Sequence, residues 1–377
     1  MTADAVIERG TVGIDGDTIR YAGPASNAPR DPRDPVVSCG SRWVTPGLVD
    51  LHCHGAGGGD VLAGTPEDLA LMARTLARHG VTGFLATTVA RREADGLRHL
   101  EVAAEAAGVG PGDGARILGI HIEGPYVNVK RRGMIRPERI WAPGGGDLER
   151  LFAAGKQQLK MLTIAPEIDG VPQLIPAIHD HGAVASMGHT DATFEQARTG
   201  FAGGIQHVTH LFNAMRELHH REPGALGAVL TDAGVTVQLI MDGTHVHPAV
   251  LDWTVKMLRP EAVSLITDAL PSAGLPDGRY QYDGDTYESR QGTARAHDGT
   301  LFGTTLLLDD MVRNAVQFCH VDFPTAVRMA SANPARALRM SDHVGDLAPG
   351  RSADLVVWSE DLKIRATMVG GRWIHTP

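Results

Sequence analysis

The sequence has few cysteines, and they are not spaced as a disulfide framework or a zinc site. Its 377 residues contain three, Cys39, Cys53 and Cys319, an odd number and widely separated. Small secreted domains held by disulfides carry a dense and even set, and structural zinc sites carry CxxC pairs. We therefore expect a protein of the reducing cytoplasm.

An excess of positive charge and long apolar runs are also missing. The formal net charge is -9 at pH 7, whereas nucleic-acid binders present a basic stripe or patch. No stretch reaches the roughly 18 to 20 apolar residues that cross a bilayer. The first residues include Asp4 and Glu8 and develop no apolar segment typical of a signal peptide. We expect no nucleic-acid partner, no membrane span and no secretion signal, and favour a small-molecule partner.

Short apolar runs bounded by glycine and proline recur along the middle of the chain. Eight of them predict strands, at residues 47–52, 81–87, 117–122, 159–165, 183–188, 205–209, 235–241 and 263–267. The segments between them carry helix signals. In the clearest, Thr65 suits the N-cap, Pro66 the first helical position and Gly80 the left-handed stop. This alternation predicts a (β/α)8 TIM-like barrel with functional residues at the carboxyl ends of its strands.

The two chain ends differ from the middle. Residues 1–46 and 345–377 contain short β-like pieces separated by glycine and aspartate turns. We expect these ends to form one small β-sandwich domain, which shelters their strand edges, and residues 47–344 to form the barrel domain. Within the latter, residues 279–303 predict an inserted β-hairpin region, followed by helices at about 304–319 and 323–338.

Side-chain alternation on the first barrel strand brings two histidines together. It places Asp50, His52 and His54 on one face and apolar residues on the other. The two imidazoles then lie side by side at the carboxyl end of the strand, where they can hold a cation. An HxH pair alone is a weak signal, and the alternative is a set of polar residues satisfied within the barrel.

Four further strand ends carry metal-binding side chains. Glu123 ends the third strand, with His121 also facing the interior, and either a cation or a salt bridge offsets the cost of burying this carboxylate. The fifth, sixth and eighth strands end on His189, His210 and Asp268. Because five of the eight strands end in residues that bind borderline metals, a metal centre is favoured.

These ligands predict hydrolytic chemistry. Glu123, His189 and His210 form a three-ligand site that leaves a position open for water, as in catalytic metal sites. His52 and His54 can hold a second ion, so we expect one or two divalent ions per chain, with zinc and iron favoured.

Asp268 has two compatible interpretations. A bound metal lowers the pKa of water towards about 7. Asp268 fits the general base that takes the proton of this water and passes it to a leaving amine. It also fits a plain metal ligand.

Six segments resemble N-acetylglucosamine-6-phosphate deacetylases of the amidohydrolase superfamily. They are GIHIEGPY at 119–126, MGHT at 187–190, THLFNAM at 209–215, HREPG at 220–224, DGTH at 242–245 and TDA at 267–269. The resemblance covers essentially the whole chain, from TPG at 45–47 to GDLAPG at 345–350. It implies hydrolysis of N-acetylglucosamine 6-phosphate to glucosamine 6-phosphate and acetate, in amino-sugar catabolism and cell-wall recycling.

The resemblance also implies site residues. Glu123, His189 and His210 match the principal metal ligands, and Asp268 matches the catalytic aspartate. Substrate contacts are implied at Asn213, Ala214, Arg221, His245, Leu301, Phe302 and Gly303. Arg221 and His245 match residues that reach the sugar phosphate and hydroxyls across a dimer interface, which implies a homodimer. A guanidinium suits a phosphate because it donates a planar pair of hydrogen bonds.

Two parts of the sequence stand out against the family. Some relatives lack the pair His52 and His54 and use one metal, whereas others keep it and can hold two. The other part is a loop. Many members carry a substrate-contacting histidine after the EGP motif, and Ile135 stands in its place. The neighbouring Met134 is a further candidate contact. The loop is basic and contains Gly133, which is consistent with a mobile lid over an anionic substrate and equally with a solvated charge cluster.

Three competing hypotheses remain. A dihydroorotase-like or dipeptidase-like amide hydrolase shares the HxH start and the barrel, although such binuclear enzymes often bridge their metals with a carbamylated lysine rather than a glutamate such as Glu123. A degenerate barrel scaffold would have lost its metal ligands, which are intact here. The glycine-rich segment 55–59 lacks the Walker lysine and therefore gives little support to nucleotide binding.

Overall fold

The computed structural model describes residues 1–29, 31–40, 42–92, 96–110, 112–232 and 234–376. In chain order its strands are β1 (Gly10–Asp15), β2 (Thr18–Pro24), β3 (Trp43–Pro46), β4 (Leu48–Cys53), β5 (Gly55–Ala56), β6 (Gly59–Asp60), β7 (Val81–Thr88), β8 (Arg116–Ile122), β9 (Leu159–Ile164), β10 (Val184–Met187), β11 (His207–Val208), β12 (Thr236–Ile240), β13 (Val263–Ile266), β14 (Gly278–Tyr282), β15 (Asp285–Arg290), β16 (Thr293–Ala296), β17 (Leu301–Thr304), β18 (Leu355–Trp358), β19 (Ile364–Val369) and β20 (Arg372–His375). Its α-helices are α1 (Pro66–Arg78), α2 (Arg98–Val109), α3 (Asp147–Ala154), α4 (Val171–Asp180), α5 (Phe194–Ala202), α6 (Gly224–Thr231), α7 (Pro248–Leu258), α8 (Leu308–Cys319), α9 (Phe323–Met329) and α10 (Ala332–Ala337).

The barrel consists of parallel strands in the order β4, β7, β8, β9, β10, β11, β12 and β13. The last strand returns to the first just beyond its end. There the Asp268 amide donates to the His52 carbonyl at 2.8 Å and the His54 amide donates to the Ala269 carbonyl at 2.9 Å. The predicted (β/α)8 barrel is confirmed. Its closure brings the ends of β4 and β13 together on the face where the site lies.

The helix between the first two barrel strands shows how local signals set the element bounds. The Thr65 hydroxyl accepts the Asp68 amide, Pro66 is the first helical residue, and Gly80 adopts a φ of 80° just before β7. Leu69, Met72 and Leu76 are buried on the barrel side of α1. The predicted capping of this helix is confirmed.

Two predicted helix boundaries were wrong. The helix predicted from residue 304 begins at Leu308, because residues 301–304 form β17. The helix predicted over residues 323–338 is divided into α9 and α10. Pro334 has no amide hydrogen to donate to the carbonyl four residues before it, which ends the first helix near Ala330. Within the described residues, no helix has both the length and the apolarity needed to cross a membrane.

The predicted hairpin region at residues 279–303 is a four-stranded antiparallel sheet, β14 to β17. Its first two strands are joined by a two-residue turn in which Asp283 and Gly284 have φ values of 46° and 84°. Asp-Gly suits this turn because both positions require positive φ. The last strand is joined to the barrel, since the Thr304 amide donates to the Asp268 carbonyl at 2.9 Å. The inserted sheet therefore lies directly on the end of the barrel where the strands have their carboxyl ends.

The chain ends fold together as the predicted small β-sandwich. Strand β3 pairs with β18 in the sheet β20-β19-β18-β3, and β1 pairs with β2 in a second sheet. Ile19 from the second sheet packs into one apolar cluster with Leu355 and Met368 from the first. Because each sheet alone has an exposed apolar face, their burial against each other stabilises both. The domain boundaries at 46/47 and 344/345 stay a prediction.

Candidate metal centre

Five strand ends bring six side chains to one point at the carboxyl end of the barrel. They form two groups, His52, His54 and Asp268, which we call the β4 group, and Glu123, His189 and His210, which we call the Glu123 group. In each group the possible ligand atoms all lie within 4.8 Å of one another. The five glutamate and histidine residues are buried, and Asp268 exposes 15% of its side chain. The structure therefore brings together all six ligands that the sequence predicts.

Glu123 lies between the two groups. Its Oε1 atom is 2.8 Å from His210 Nε2, 3.1 Å from His189 Nε2 and 3.4 Å from His52 Nε2. Its Oε2 atom is 3.3 Å from His54 Nε2. One carboxylate thus contacts all four imidazoles, so it could serve as a ligand in both groups.

The backbone is strained where three of these side chains leave their strands. His189, His210 and Asp268 have φ values of 47°, 27° and 51°. This left-handed region is unfavourable for residues other than glycine, and each such residue costs on the order of 1 kcal/mol or more. Strain of this kind persists where the surrounding structure enforces it, and here it turns three functional side chains towards a common point.

The outer ring nitrogens show which tautomers two histidines adopt. His52 Nδ1 is 3.2 Å from Gln238 Oε1, an oxygen that also accepts the His210 amide. His189 Nδ1 is 2.9 Å from the Arg131 carbonyl oxygen. Because both oxygens can only accept, both rings carry hydrogen on Nδ1. Their Nε2 lone pairs consequently point inward, as metal-binding imidazoles require.

The inner ring nitrogens face one another in pairs. His52 Nε2 is 3.1 Å from His54 Nε2, and His189 Nε2 is 3.1 Å from His210 Nε2. Two lone pairs at this distance repel unless a cation or a proton lies between them. The donor set of imidazole nitrogens and carboxylate oxygens therefore fits a borderline divalent metal.

The electrostatic environment of the cluster attracts positive charge. Burial alone would raise the pKa of Glu123, yet the neighbouring His52 and His189 hold that pKa well below its ordinary value. Burial would lower the pKa of His54, but Asp268 and Glu123 outweigh it and raise this pKa to about 10. The carboxylates are thus ionised and stabilise positive charge on neighbouring histidines. A metal ion can take the place of that positive charge.

A cavity of about 230 Å³ opens above the cluster. Glu123, His189, His210 and Asp268 form part of its floor. All substrate contacts predicted from the sequence except Arg221 line it: Met134, Asn213, Ala214, His245, Leu301, Phe302 and Gly303. Residues that lie far apart in the chain are therefore gathered around the metal centre.

Arg221 lies elsewhere. Its side chain is exposed, and one guanidinium nitrogen is 2.8 Å from His220 Nε2. Among the described residues that line the cavity there is neither lysine nor arginine, whereas Asp283 and Asp285 add carboxylates to the wall. One chain alone therefore does not place the predicted phosphate ligand at the cavity.

Several residues of the centre carry no role in the sequence-based interpretation. Asp50 accepts hydrogen bonds from the Thr267 hydroxyl at 2.6 Å and from the His52 amide at 3.2 Å, and burial raises its pKa to about 7. Strand alternation places Asp50 inside the barrel but gives no partner for it. Tyr282, from the inserted sheet, is 2.9 Å from His54 Nδ1 through its hydroxyl. Ile135 is buried in the cavity wall, where the family histidine was expected.

Comparison with known proteins agrees with this geometry. The model of the amidohydrolase family matches residues 43–374. The chain is 36% identical over 337 residues to N-acetylgalactosamine-6-phosphate deacetylase of Escherichia coli O157:H7, with 89% of each chain covered. It is 35% identical over 378 residues to N-acetylglucosamine-6-phosphate deacetylase of Bacillus subtilis strain 168, covering 98% of this chain and 94% of the relative.

A solved structure shares the whole fold. It is that of a mutant N-acetyl-D-glucosamine-6-phosphate deacetylase of Mycobacterium smegmatis in complex with N-acetyl-D-glucosamine-6-phosphate, with a TM-score of 0.93 and 36% identity. The match covers 100% of this chain and 97% of that one. The expected family resemblance and the expected metal-dependent hydrolase are confirmed, and the chain belongs to the amidohydrolase family.

Proposed function

We propose that the chain hydrolyses the acetamide bond of N-acetylglucosamine 6-phosphate, releasing acetate and glucosamine 6-phosphate in amino-sugar catabolism and cell-wall recycling. The observation that carries the proposal is the cavity directly above the six converging ligands. Similarity over nearly the full chain to deacetylases of acetylated amino-sugar phosphates supports this substrate class.

The reaction requires a bound metal and a proton carrier. The Glu123 group, and in a two-ion form also the β4 group, would hold a divalent ion, zinc or iron, which would supply Lewis acidity and lower the pKa of water towards about 7. Asp268 accepts the proton of the attacking water as the water oxygen adds to the acetyl carbon. The same proton then passes from Asp268 to the amine nitrogen while the carbon–nitrogen bond breaks.

The Asp268 carboxylate is suited to both steps. Burial would raise its pKa, but His52 and His54 outweigh burial and lower it, so that the group is ionised at neutral pH and ready to accept a proton. Its Oδ1 atom is 3.3 Å from His54 Nε2 and 3.4 Å from His52 Nε2, which fixes its direction. This carboxylate also lies in the cavity floor, within reach of a bound substrate.

The cavity wall supplies the substrate contacts. His245 Nδ1 is 2.7 Å from the buried Asp242 Oδ2, which fixes the ring and leaves Nε2 for a sugar hydroxyl or a phosphate oxygen. Asn213 adds an amide side chain beside the metal ligand His210. Phe302 and Leu301 give an apolar wall against which a sugar face can pack.

In this proposal the guanidinium group that binds the substrate phosphate comes from a second copy of the chain. The exposed position of Arg221 and the lack of a lysine or arginine along the described cavity lining support a homodimer in which Arg221 crosses the interface. Arg221→Ala should raise KM for the phosphorylated sugar about 10- to 100-fold, the loss of one charge-assisted pair. Turnover of the unphosphorylated sugar should barely change. Equal losses on both substrates would contradict phosphate recognition.

A complementation experiment separates the two positions of Arg221. Arg221→Ala and Asp268→Asn subunits are mixed, unfolded together, refolded and assayed for acetate release at a substrate concentration well below the wild-type KM. If Arg221 acts across the interface, a mixed dimer contains one site with both functional groups, and activity rises well above that of either variant alone. A mixture no more active than its components would show that Arg221 does not act in the partner's site.

Acetate release tests the proposed activity directly. Metal-replete protein should release acetate from N-acetylglucosamine 6-phosphate, and the assay should include the galactosamine epimer because one relative is named for it. Hydrolysis of a cyclic amide or a dipeptide, without acetate release from either sugar, would favour the dihydroorotase-like or dipeptidase-like alternative. A cytoplasmic location belongs to the same proposal and is supported by the free thiols of Cys39, Cys53 and Cys319.

A further inference from the structure

Tyr282 joins the inserted sheet to the metal centre. It is the last residue of β14, and its hydroxyl oxygen lies 2.9 Å from Nδ1 of His54, 228 positions away in the chain. Both side chains are buried, and their rings meet edge to face with centroids 5.5 Å apart. A hydrogen bond between two buried side chains fixes their relative position and is costly to lose.

The phenol differs in kind from the partners of two other ligands. His52 Nδ1 faces the side-chain oxygen of Gln238 and His189 Nδ1 faces the backbone oxygen of Arg131, and both oxygens only accept. A phenol can either accept from Nδ1 or donate to it. His54 is therefore a ring whose outer partner is compatible with a proton on either nitrogen.

The turn that follows Tyr282 is clamped by arginines. Arg139 donates to both carboxylate oxygens of Asp283, from Nε at 3.1 Å and from a terminal nitrogen at 3.0 Å. Arg91 donates to the same carboxylate at 3.1 Å, and Arg136 donates to the Asp283 carbonyl at 2.7 Å. Forked guanidinium–carboxylate pairs of this kind are strong and directional, and here both partners of the fork are buried. These contacts hold the turn in place and thereby fix the position of the Tyr282 hydroxyl relative to His54.

We propose that Tyr282 is a positioning residue for the metal, which holds the His54 ring with Nε2 towards Asp268 and Glu123 and thereby sets the affinity of the β4 group for its ion. With the ion bound, Nδ1–H of His54 donates to the phenol oxygen. With the ion absent, Nε2–H of His54 faces the carboxylates while Nδ1 stays paired with the phenol oxygen. Tyr282 thus lets the β4 group release and regain an ion without leaving a buried donor unpaired.

Metal binding, rather than activity, tests this contact. Chelated protein is titrated with zinc in chelator-buffered solutions, and bound zinc is counted per chain. The wild type should bind two ions, and His54→Ala identifies the binding event of the β4 group by removing it. Tyr282→Phe should weaken that same event about 10- to 100-fold, the usual effect of losing the partner of a ligand histidine. The other event should stay within about twofold.

Tyr287→Phe is the matched control. Tyr287 is buried in the same sheet, and its hydroxyl donates to Ser272 Oγ at 3.0 Å and accepts the Ser272 amide at 3.2 Å, away from the metal ligands. It should lose a buried hydroxyl without changing either zinc constant. The proposal is overturned by a wild type that binds a single ion, by unchanged constants in Tyr282→Phe, or by an equal shift in Tyr287→Phe.

A second variant covers the case in which Tyr282→Phe does not fold, as judged by circular dichroism of the metal-free protein. Asp283→Asn keeps the tyrosine and weakens its anchor, so that the same binding event should weaken by a smaller factor, and unchanged binding would overturn the proposal. The inference rests on the proposed two-ion centre, but its failure is distinguishable. Protein that binds two ions and releases no acetate contradicts the proposed function and leaves the zinc constants to decide the role of Tyr282.

Discussion

The two halves of the metal centre are held in different ways. In the Glu123 group, His189 and His210 leave their strands in a left-handed backbone conformation, and the ring of His189 is fixed by a backbone carbonyl of the adjoining 128–136 loop. In the β4 group only Asp268 has this conformation. His52 and His54 leave β4 without it, and side chains far along the sequence fix their rings. The first half depends on the barrel and its loops, whereas the second depends also on an inserted sheet. One centre can therefore hold two ions with unequal affinities.

The largest expected effect separates chemistry from metal binding inside the β4 group. Asp268→Asn keeps the shape of the side chain but cannot accept the proton of the water. We expect kcat to fall about 10²- to 10⁴-fold, the usual range for losing a general base, with a much smaller change in KM. Steady-state kinetics and the melting temperature of the variant provide the measurement. Near-normal turnover would remove Asp268 from this role.

The next effect compares the two groups through their metal content. Glu123 contacts all four ligand imidazoles, so Glu123→Gln should lose both ions at zinc concentrations that saturate the wild type. His52→Ala should lose one ion and keep the other. His207→Asn, in a buried histidine outside both groups, should retain two. Elemental analysis after equilibration with buffered zinc checks all three.

A ratio near one ion per chain in both the wild type and His52→Ala would contradict a resident metal at the β4 group. Two ions in Glu123→Gln would contradict the proposal that both groups use that carboxylate as a ligand.

The smallest effect concerns a buried histidine without a carboxylate partner. Burial lowers the pKa of His207 to about 3, whereas carboxylates raise that of His54 to about 10. Because the unfolded chain binds a proton at His207 below about 6.5 and the folded chain does not until about 3, this contribution to stability is fully present above pH 6.5 and is lost as the pH falls. From pH 6.5 to 5 the loss is about 2 kcal/mol.

His207→Asn should therefore lose about 2 kcal/mol less stability than the wild type over this interval. An asparagine amide preserves a hydrogen bond to Thr236, which accepts or donates at 2.7 Å from His207 Nδ1. Urea unfolding of metal-free protein at both pH values measures the difference. Parallel losses in the two proteins would show that His207 titrates normally in the fold.

Much of the barrel follows from periodicity in the sequence. Alternation on β4 places His52 and His54 together, and strand ends place Glu123 and Asp268 with them, because parallel strands in a closed barrel end on one face. Local signals likewise give α1. The break between α9 and α10 also has a local cause, because Pro334 lacks the amide hydrogen that a continuous helix would use.

The remaining features depend on packing between distant segments. The Asp283-Gly284 dipeptide indicates a hairpin, but nothing local shows that the adjoining Tyr282 meets His54 or that Arg91 and Arg139 hold the turn. Arg221 is a similar case. The family motif implies a phosphate contact, and the exposed position of Arg221 fits that contact only in the proposed homodimer. Contacts of this kind depend on how whole helices and strands pack together. Local sequence patterns carry no information about that packing.

Titrating zinc into chelated protein while following acetate release from N-acetylglucosamine 6-phosphate tests the central claim most directly. We expect no acetate release from metal-free protein. Activity should recover as metal occupies the site formed by the ligands around Glu123. Equal acetate release by the metal-free protein, or no release at any zinc or iron concentration from protein shown to hold metal, would contradict the account of a metal-dependent deacetylase.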